Sequence, residues 1–157
     1  MRGMIERAAA LALIAVTVLA AHAASPPSTT LTPADRAAVC EAAGFKARGS
    51  QHIRCEEETP TSSSTPGSIE VVDLDGDGRP EAWVTESSLF CYGDTAAFFV
   101  LVTKEEDGTW RKPMEEVGIP TALQTTHQGW PDIEVGGPGF GKLPVHHWNR
   151  KAYVGSR

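Results

Sequence analysis

The sequence predicts a mainly β fold, a compact antiparallel β-meander of about six to eight strands that resembles a propeller blade, with one short N-terminal helix. Two observations predict the strands: short segments rich in β-branched and aromatic residues, such as Ile69–Val72 and Ala97–Thr103, and turn-forming residues between them. A third observation limits the architecture, because a closed propeller needs at least about four blades of about 40 residues each. The chain has 157 residues and is too short for that, so we expect one or two blade-like meanders instead.

The N-terminus, residues 1–23, has the pattern of a secretory signal peptide. A short basic start precedes an apolar run, Ala8–Ala20, and Ala21-His22-Ala23 matches the small-x-small cleavage pattern. The run is shorter than the roughly 20 residues that a bilayer crossing needs, which disfavours a retained membrane helix. No cysteine marks a lipoprotein cleavage point. The sequence therefore predicts export to the periplasm or the extracellular space, with a mature chain that begins at Ala24 and has no membrane span.

The mature chain is expected to be a single domain behind a short leader. Residues 24–31 are rich in proline, serine and threonine, and we predict a disordered leader there. Residues 32–157 have the size of one common domain with its own core, and two independent domains would be cramped. The sequence therefore predicts one β-rich domain over 32–157.

The only helix is predicted at the start of this domain. Thr32 is typical of an N-cap, Pro33 suits the first helical position, and Asp35 can accept hydrogen bonds from the free N–H groups of the first turn. Gly44 is typical of a helix end. We expect a helix over Ala34–Ala43.

Turn chemistry predicts where further strands meet. A strand is expected around His52-Ile53-Arg54. Asp107-Gly108 is a strong hairpin signal and should return the chain after the strand at Ala97–Thr103. Near the C-terminus, we expect Leu143–Trp148 and Lys151–Val154 to pair with each other.

The most informative segment is an acidic loop with the sequence Asp-Leu-Asp-Gly-Asp-Gly-Arg-Pro-Glu, residues 73–81. Its carboxylates are hard oxygen ligands around a tight turn, which suit Ca²⁺, with its about six to eight oxygens, better than Zn²⁺. Like charges so close together should also repel one another when no cation is bound. The predicted calcium ligands are the side chains of Asp73, Asp75, Asp77 and Glu81 and the backbone carbonyl of Arg79.

The acidic loop differs from an EF-hand, because Val84 stands at the twelfth position, where a bidentate Glu is required, and the flanks are β-type. A strand, an Asp-x-Asp-Gly-Asp-Gly-x-x-Glu loop and a second strand in succession resemble the calcium half of FG-GAP and VCBS-type repeat proteins. The chain is more similar to a group of uncharacterised exported bacterial proteins with the same loop ahead of a Cys-Tyr-Gly segment, here at Cys91, and a Gly-Pro-Gly-Phe segment, here at Gly137. This resemblance covers residues 68–154 and implies a calcium loop in an exported β domain.

The three cysteines predict one disulfide and one unpaired thiol in an exported chain. A bridge between Cys40 and Cys55 would tie the helix to the next strand, and closing such a loop contributes about 3 kcal/mol in the chain-entropy model. The related exported proteins commonly have a second cysteine after Gly-Pro-Gly-Phe, whereas Gly141 stands there in this chain. We therefore expect Cys91 to stay free, and its sequence neighbours do not favour a catalytic thiol.

A glycine-rich segment, Gly136–Lys142, has the spacing of a phosphate-binding loop. Leu143 replaces the Ser or Thr that binds Mg²⁺, and Pro144 follows where a helix should start. We interpret the segment as a crossover between strands.

The histidines offer a weak alternative metal site. His146 and His147 are neighbours in a predicted strand, so they point to opposite faces and cannot both bind one ion. His127 could join one of them in a zinc site, but no cysteine or carboxylate spacing supports it. Solvent-facing or hydrogen-bonded histidines are the favoured interpretation.

The four tryptophans have two interpretations. Aromatic residues fill small β cores, and tryptophan also stacks on sugars in carbohydrate-binding sites. A core role is favoured because most of them lie in or beside predicted strands. The residues concerned are Trp83, Trp110, Trp130 and Trp148.

The net charge disfavours two classes of partner. The formal charge is −6, and loss of the signal peptide removes two arginines and one glutamate, which makes it more negative by one. An acidic chain disfavours nucleic acid and anionic membrane surfaces as partners.

The sequence favours an exported, non-enzymatic β domain stabilised by Ca²⁺, with a binding or structural role in the cell envelope. Its partner would be an envelope protein or a glycan of unknown identity. No catalytic residues are predicted. Two alternatives stay open: a small periplasmic hydrolase that uses carboxylates or histidines near the acidic loop, and a secreted inhibitor of an envelope-acting enzyme.

Overall fold

The computed structural model describes residues 30–56, 65–93, 97–137 and 141–155. The predicted signal peptide, 1–23, lies outside these residues, as does most of the predicted leader. The helices are α1 (Pro33–Ala42) and α2 (Leu89–Tyr92). The strands are β1 (Lys46–Arg48), β2 (Gln51–Ile53), β3 (Thr65–Val72), β4 (Glu81–Ser87), β5 (Ala97–Lys104), β6 (Trp110–Val117), β7 (Ile119–His127), β8 (Trp130–Gly136), β9 (Val145–Trp148) and β10 (Tyr153–Gly155). Neither helix has the length and apolar character needed to span a membrane.

The strands form three antiparallel sheets, so the predicted mainly β, meander-type fold is confirmed. Strands β1 and β2 form a short two-stranded sheet. Strands β3 to β6 follow one another in a four-stranded sheet, called sheet I, and β7 to β10 do the same in sheet II. The described residues contain ten strands rather than six to eight, and β1, β2 and β10 have only three residues each.

Helix α1 lies within one residue of its predicted bounds. The Thr32 hydroxyl accepts a hydrogen bond from the Asp35 N–H at 3.1 Å, and Gly44 follows the C-cap with a φ of +80°. The Asp35 carboxylate also lies 2.8 Å from Nζ of Lys104 on β5, which ties the start of the helix to sheet I. Leu31 packs against the core, so packing begins inside the segment predicted as a leader.

Two apolar cores lie on opposite sides of strand β5. Core 1 joins α1 to sheet I and contains the buried residues Val39, Cys40, Ala43, Phe45, Ala82, Val84, Phe98, Val100 and Val102. Core 2 joins sheet I to sheet II and contains Trp83, Phe99, Leu101, Met114, Trp130, Ile133, Val135, Trp148 and Tyr153. Successive residues of β5 alternate between the two cores, and this double burial explains why the strand is apolar almost without interruption.

The tryptophans are core residues, as the favoured interpretation predicts. Trp83, Trp130 and Trp148 are buried in core 2, where the rings of Trp130 and Trp148 stack with centroids 4.5 Å apart. Trp110 is partly buried and packs against core 1. The apolar faces of these rings are therefore used in packing rather than displayed as a sugar-stacking surface.

The two predicted strand pairings are also confirmed. The chain returns from β5 to β6 through a tight turn in which Gly108 has a φ of +84° and donates its N–H to the Glu105 carbonyl at 2.9 Å. Near the C-terminus, β9 pairs with β10, and the Asn149 side chain accepts hydrogen bonds from the N–H groups of Lys151 and Ala152 across the turn.

A single residue, Gly118, carries the chain from sheet I to sheet II. It separates β6 from β7, has a φ of +150° and donates its N–H to the Ala97 carbonyl at 2.7 Å. A Cβ atom at this position would lie 2.5 Å from Cγ1 of Val135 and 2.6 Å from the Gly136 carbonyl oxygen. Glycine is required here both by the backbone angle and by the close approach of β8.

The predicted cysteine pairing is wrong. Cys55 is bonded to Cys91, with their Cα atoms 6.1 Å apart, and Cys40 is the unpaired cysteine. Cys40 faces core 1 from helix α1, where burial raises the pKa of its thiol. Cys55 instead follows β2 beside the side chain of Glu86 on β4, which brings it to helix α2 and to Cys91. Cys40 was the predicted partner of Cys55 because the two residues are close in sequence. In the structure, helix α1 directs the Cys40 side chain into core 1.

Candidate functional site

The acidic loop connects strands β3 and β4 of sheet I and turns as the sequence predicts. Gly76 and Gly78 have φ of +75° and +85°, a region in which a residue without a Cβ is favoured. Asp73 accepts hydrogen bonds from the N–H groups of both glycines, at 2.9 Å and 3.2 Å. The Asp75 carboxylate accepts one from the Asp77 N–H at 3.1 Å. These bonds draw the carboxylates toward the inside of the turn.

Glu81 is the buried member of the loop. It is the first residue of β4 and only 1% of its surface is exposed. One carboxylate oxygen accepts a hydrogen bond from the Leu74 N–H at 2.7 Å, and the other accepts one from the Thr103 hydroxyl at 3.0 Å. Within the described part of the chain, no lysine, arginine or histidine forms an ion pair with Glu81. The carboxylate is therefore buried without a cationic partner from this part of the protein.

The electrostatics of the loop follow from this burial. Burial raises the pKa of Glu81 to about 7, and the charges of Asp75 and Asp77 add to the increase. Burial also raises the pKa of Asp75, with further contributions from Asp77 and Asp73. Without a cation, Glu81 can therefore take up a proton near neutral pH, whereas a bound cation would favour its ionised form.

The structure brings together three of the predicted calcium ligands. Asp73, Asp75 and Glu81 each place a carboxylate oxygen within 4.8 Å of the others. Asp77 is not in this group, because its carboxylate pairs with the guanidinium of Arg79 in the same loop. The backbone carbonyl of Arg79 stays a predicted ligand.

A second group of metal-ligating side chains lies on sheet II. His127 on β7, Asp132 on β8 and His147 on β9 each offer a ligand atom within 4.8 Å of the others. Nδ1 of His127 is 2.6 Å and Nδ1 of His147 is 2.8 Å from the same oxygen of Asp132. The other oxygen of Asp132 accepts a hydrogen bond from the Thr125 hydroxyl at 2.6 Å. We call His127, Asp132 and His147 the histidine–aspartate cluster.

Asp132 is ionised in this cluster although only 2% of its surface is exposed. Burial alone would raise its pKa, but hydrogen bonds from Thr125, His147 and His127 outweigh it and lower the pKa to about 2. A buried carboxylate facing two imidazoles is thus available as an anionic ligand at neutral pH.

This cluster was not predicted from the sequence, because Asp132 was not among the candidate ligands. His127 and His147 were candidates, and the expected divergence of neighbouring histidines is confirmed: Nε2 of His146 lies 3.2 Å from the Glu116 carboxylate on β6, away from the cluster. No local motif marks Asp132. Only the pairing of β7, β8 and β9 brings it between the two histidines.

Tyr153 on β10 is affected by the charges of both the acidic loop and the histidine–aspartate cluster. Its hydroxyl donates to the Pro131 carbonyl at 2.8 Å. Burial raises the pKa of this hydroxyl, and so do the negative charges of Asp132, Glu81 and Asp75. The acidic loop and the histidine–aspartate cluster therefore lie near the same buried ring of core 2.

The glycine-rich segment does not lead into a phosphate-binding helix. Residues 138–140 lie outside the described part, but the element that follows is strand β9, and the Pro144 carbonyl accepts a hydrogen bond from the Val135 N–H at 3.0 Å. This agrees with the interpretation of the segment as a crossover between strands.

Comparisons with protein-family models, with curated proteins and with solved structures find no match for this chain.

Proposed function

We propose that the chain is an exported, non-enzymatic β domain that binds Ca²⁺ at the acidic loop and has a binding or structural role in the cell envelope. The main support for the calcium site is the position of Glu81. Its carboxylate is buried without a basic partner in the described residues and converges with those of Asp73 and Asp75. A buried carboxyl group without a cationic partner either takes up a proton or coordinates a metal, and the converging carboxylates of Asp73 and Asp75 favour the metal.

The donor set favours Ca²⁺ over softer ions. All three converging groups are carboxylates, and Ca²⁺ takes about six to eight hard oxygen ligands with flexible geometry. Waters and backbone carbonyls of the loop would complete the shell. The loop contains no imidazole or thiol, which Zn²⁺ prefers.

Calcium at this place would stabilise the domain by fixing the loop to sheet I. Glu81 already holds the loop through Leu74 and holds strand β5 through Thr103. Leu74 packs against core 2, so an ordered loop also completes the contact between the sheets. An ion that neutralises the clustered carboxylates favours this arrangement over the unfolded chain.

Export is supported by two separate features. The N-terminal sequence has the pattern of a signal peptide, and disulfides such as Cys55–Cys91 persist mainly in oxidising compartments. N-terminal sequencing of the exported protein is expected to begin at Ala24. A mature protein that still carries Met1 would contradict export by this signal.

Thermal unfolding of the mature chain with EDTA, Mg²⁺ or Ca²⁺ tests the calcium site. At a hundredfold excess of Ca²⁺ over Kd the expected stabilisation is about 2.7 kcal/mol, which raises the Tm by several degrees. Asp75→Asn keeps the shape of the side chain and should abolish the calcium response. Glu106→Gln is the matched control, because it removes the same charge from an 89% exposed side chain near the loop.

Asp77→Asn tests whether Asp77 is a calcium ligand. The sequence predicts that it is, but it is not among the three carboxylates that converge in the structure. Because Asp77 pairs with Arg79, this variant should keep most of the response to Ca²⁺. The proposal fails if the wild-type Tm does not change with millimolar Ca²⁺, or if Asp75→Asn responds like the wild type.

The envelope role has its own test. Binding of the mature protein to envelope extract and to a panel of envelope glycans is measured with Ca²⁺ and with EDTA, for the wild type and for Asp75→Asn. Calcium-dependent binding without turnover of sugar, peptide or phosphoester substrates is the expected result. Turnover would favour the hydrolase alternative instead.

A further inference from the structure

We propose that the histidine–aspartate cluster is a second metal site, for a divalent transition-metal ion with the ligand preference of Zn²⁺. It is separate from the calcium loop and does not depend on it. The evidence is a buried carboxylate and two imidazoles that converge from three neighbouring strands.

The strands hold the three side chains in place. In sheet II, strand β8 lies between β7 and β9. His127 on β7 pairs with Trp130, two residues before Asp132. His146 on β9 pairs with Ile133, one residue after Asp132, so His147 lies opposite Asp132. Asp132 is therefore flanked by one histidine from each neighbouring strand. Ligands on paired strands are positioned more precisely than ligands on loops.

The Thr125 hydroxyl fixes the carboxylate from the far side. It bonds to the Asp132 oxygen that does not face the histidines, so the other oxygen is held toward both imidazoles. Hydrogen bonds of this kind orient metal-ligating carboxylates in proteins.

The ligand spacing requires only a small adjustment for an ion. Ligand atoms about 2.0–2.2 Å from a metal lie about 2.9 Å apart at right angles and about 3.4 Å apart in a tetrahedron. The Nδ1 atoms of His127 and His147 lie 2.6 Å and 2.8 Å from the Asp132 oxygen. The contacts must therefore lengthen by about 0.1–0.8 Å, and the half-exposed His127 ring is free to make that movement.

The donor set selects the class of ion. Two imidazole nitrogens and one carboxylate suit Zn²⁺ and neighbouring transition metals, whereas Ca²⁺ and Mg²⁺ prefer oxygen alone. The side chains of His127 and His147 are 51% and 32% exposed, so one side of the ion would face solvent. Three protein ligands with an open fourth position are typical of zinc sites that bind an exchangeable ligand.

Metal binding at this cluster must displace the protons that lie between the imidazoles and Asp132. Without an ion, Nδ1 of both His127 and His147 can reach Asp132 only as hydrogen-bond donors, since the carboxylate has no proton to give. An ion at the centre binds both Nδ1 atoms in place of these protons. A neutral imidazole then carries its proton on Nε2 with no net release, and only an imidazolium gives a proton up to solvent. A purely hydrogen-bonded cluster would bind no metal.

Titration of the mature, tag-free chain with Co²⁺ tests the site, because four- or five-coordinate Co²⁺ with nitrogen ligands absorbs visible light. We expect visible bands that saturate at one equivalent and disappear when Zn²⁺ is added. Isothermal titration calorimetry should likewise show saturation at one Zn²⁺ per chain.

His127→Gln removes a ligand from a half-exposed position, where the fold tolerates the change. It should weaken Zn²⁺ binding by more than the about 10–100-fold that loss of an outer-shell partner costs. His146→Gln, one residue from His147 on the same strand, is the matched control and should bind like the wild type. Near-UV circular dichroism checks that both variants are folded.

Two results would overturn the proposal: no visible bands with wild-type protein, or equal Zn²⁺ affinity for the wild type and His127→Gln. Asp75→Asn keeps this test independent of the calcium site. It should lose the response to Ca²⁺ but bind Co²⁺ and Zn²⁺ unchanged, so failure of one site does not imply failure of the other.

Discussion

The carboxylate of Glu86 lies against the backbone of Cys55 and accepts a hydrogen bond from the Cys55 N–H at 3.0 Å. The same oxygen accepts the Tyr92 hydroxyl at 2.6 Å, and the second oxygen accepts the Arg54 N–H at 2.9 Å. Tyr92 follows Cys91 in helix α2. One buried carboxylate therefore holds the chain on both sides of the disulfide.

Glu86→Gln is expected to lower the free energy of unfolding by about 1–3 kcal/mol. The amide has one acceptor oxygen, so in either orientation its NH₂ group would face a backbone N–H, that of Arg54 or that of Cys55, which would lose its acceptor. Urea denaturation measures the change. Glu70→Gln, at an exposed position of β3, is the control and should stay within about 0.5 kcal/mol of the wild type. Equal effects of the two variants would show that Glu86 does not clamp the disulfide region.

The thiol count tests the cysteine pairing. Denatured, unreduced protein should contain one titratable thiol, Cys40, and the folded protein should show almost none because that thiol is buried. Reduction of Cys55–Cys91 should lower stability by about 4 kcal/mol, since it opens a loop with a sequence separation of 36 residues. A disulfide-linked peptide that contains Cys40 would contradict the pairing.

Gly118→Ala is expected to destabilise the fold strongly. A residue other than glycine in a sparsely populated φ region costs about 1–3 kcal/mol, and the added methyl group would also overlap the side chain of Val135. Gly137→Ala is the control, because a Cβ there meets no atom within 4 Å. Urea denaturation of both variants should show a clear loss for the first and at most a slight change for the second. Similar midpoints would mean that the connection between the sheets can relax.

The Asp35 contact with Lys104 predicts a pH dependence of stability. The hydrogen bond from Lys104, followed by that from Thr32, holds the pKa of Asp35 below its usual value. A lowered folded-state pKa gives stability that is present above the unfolded pKa and is lost as the pH falls through the folded pKa. The Tm difference between wild type and Asp35→Asn should therefore be constant near neutral pH and shrink below about pH 4. A difference that is independent of pH would exclude this ion pair as its source.

Local signals predicted the local parts of the fold well. Helix α1, the turn at Asp107-Gly108 and the apolar strand β5 each depend on residues that are close in sequence, and each lies where it was expected. Helix α2 was missed because it has only four residues, and its Ser88 N-cap is not followed by an amphipathic pattern.

Contacts between residues that are far apart in sequence could not be predicted in the same way. Cys55 is bonded to Cys91, and the Glu86 carboxylate holds the backbone N–H of Cys55 in place for this bond. The residues around Cys40 in the sequence do not indicate that its side chain faces the core. Asp132 likewise joins His147 only through the register of β8 and β9. The acidic loop was recognisable because all its candidate ligands lie within nine residues. The ion pair between Asp77 and Arg79 within that loop was not predicted.

Strand β5 has no face in contact with water, and this determines whether the two meanders can exist apart. A chain that ended at Gly118 would keep α1, sheet I and core 1 but would leave the core 2 side chains of Phe99, Leu101 and Met114 uncovered. Such a fragment would associate through that surface rather than remain monomeric. Although both meanders have four antiparallel strands, they share core 2, so we expect them to unfold as one cooperative unit and expect neither to fold without the other.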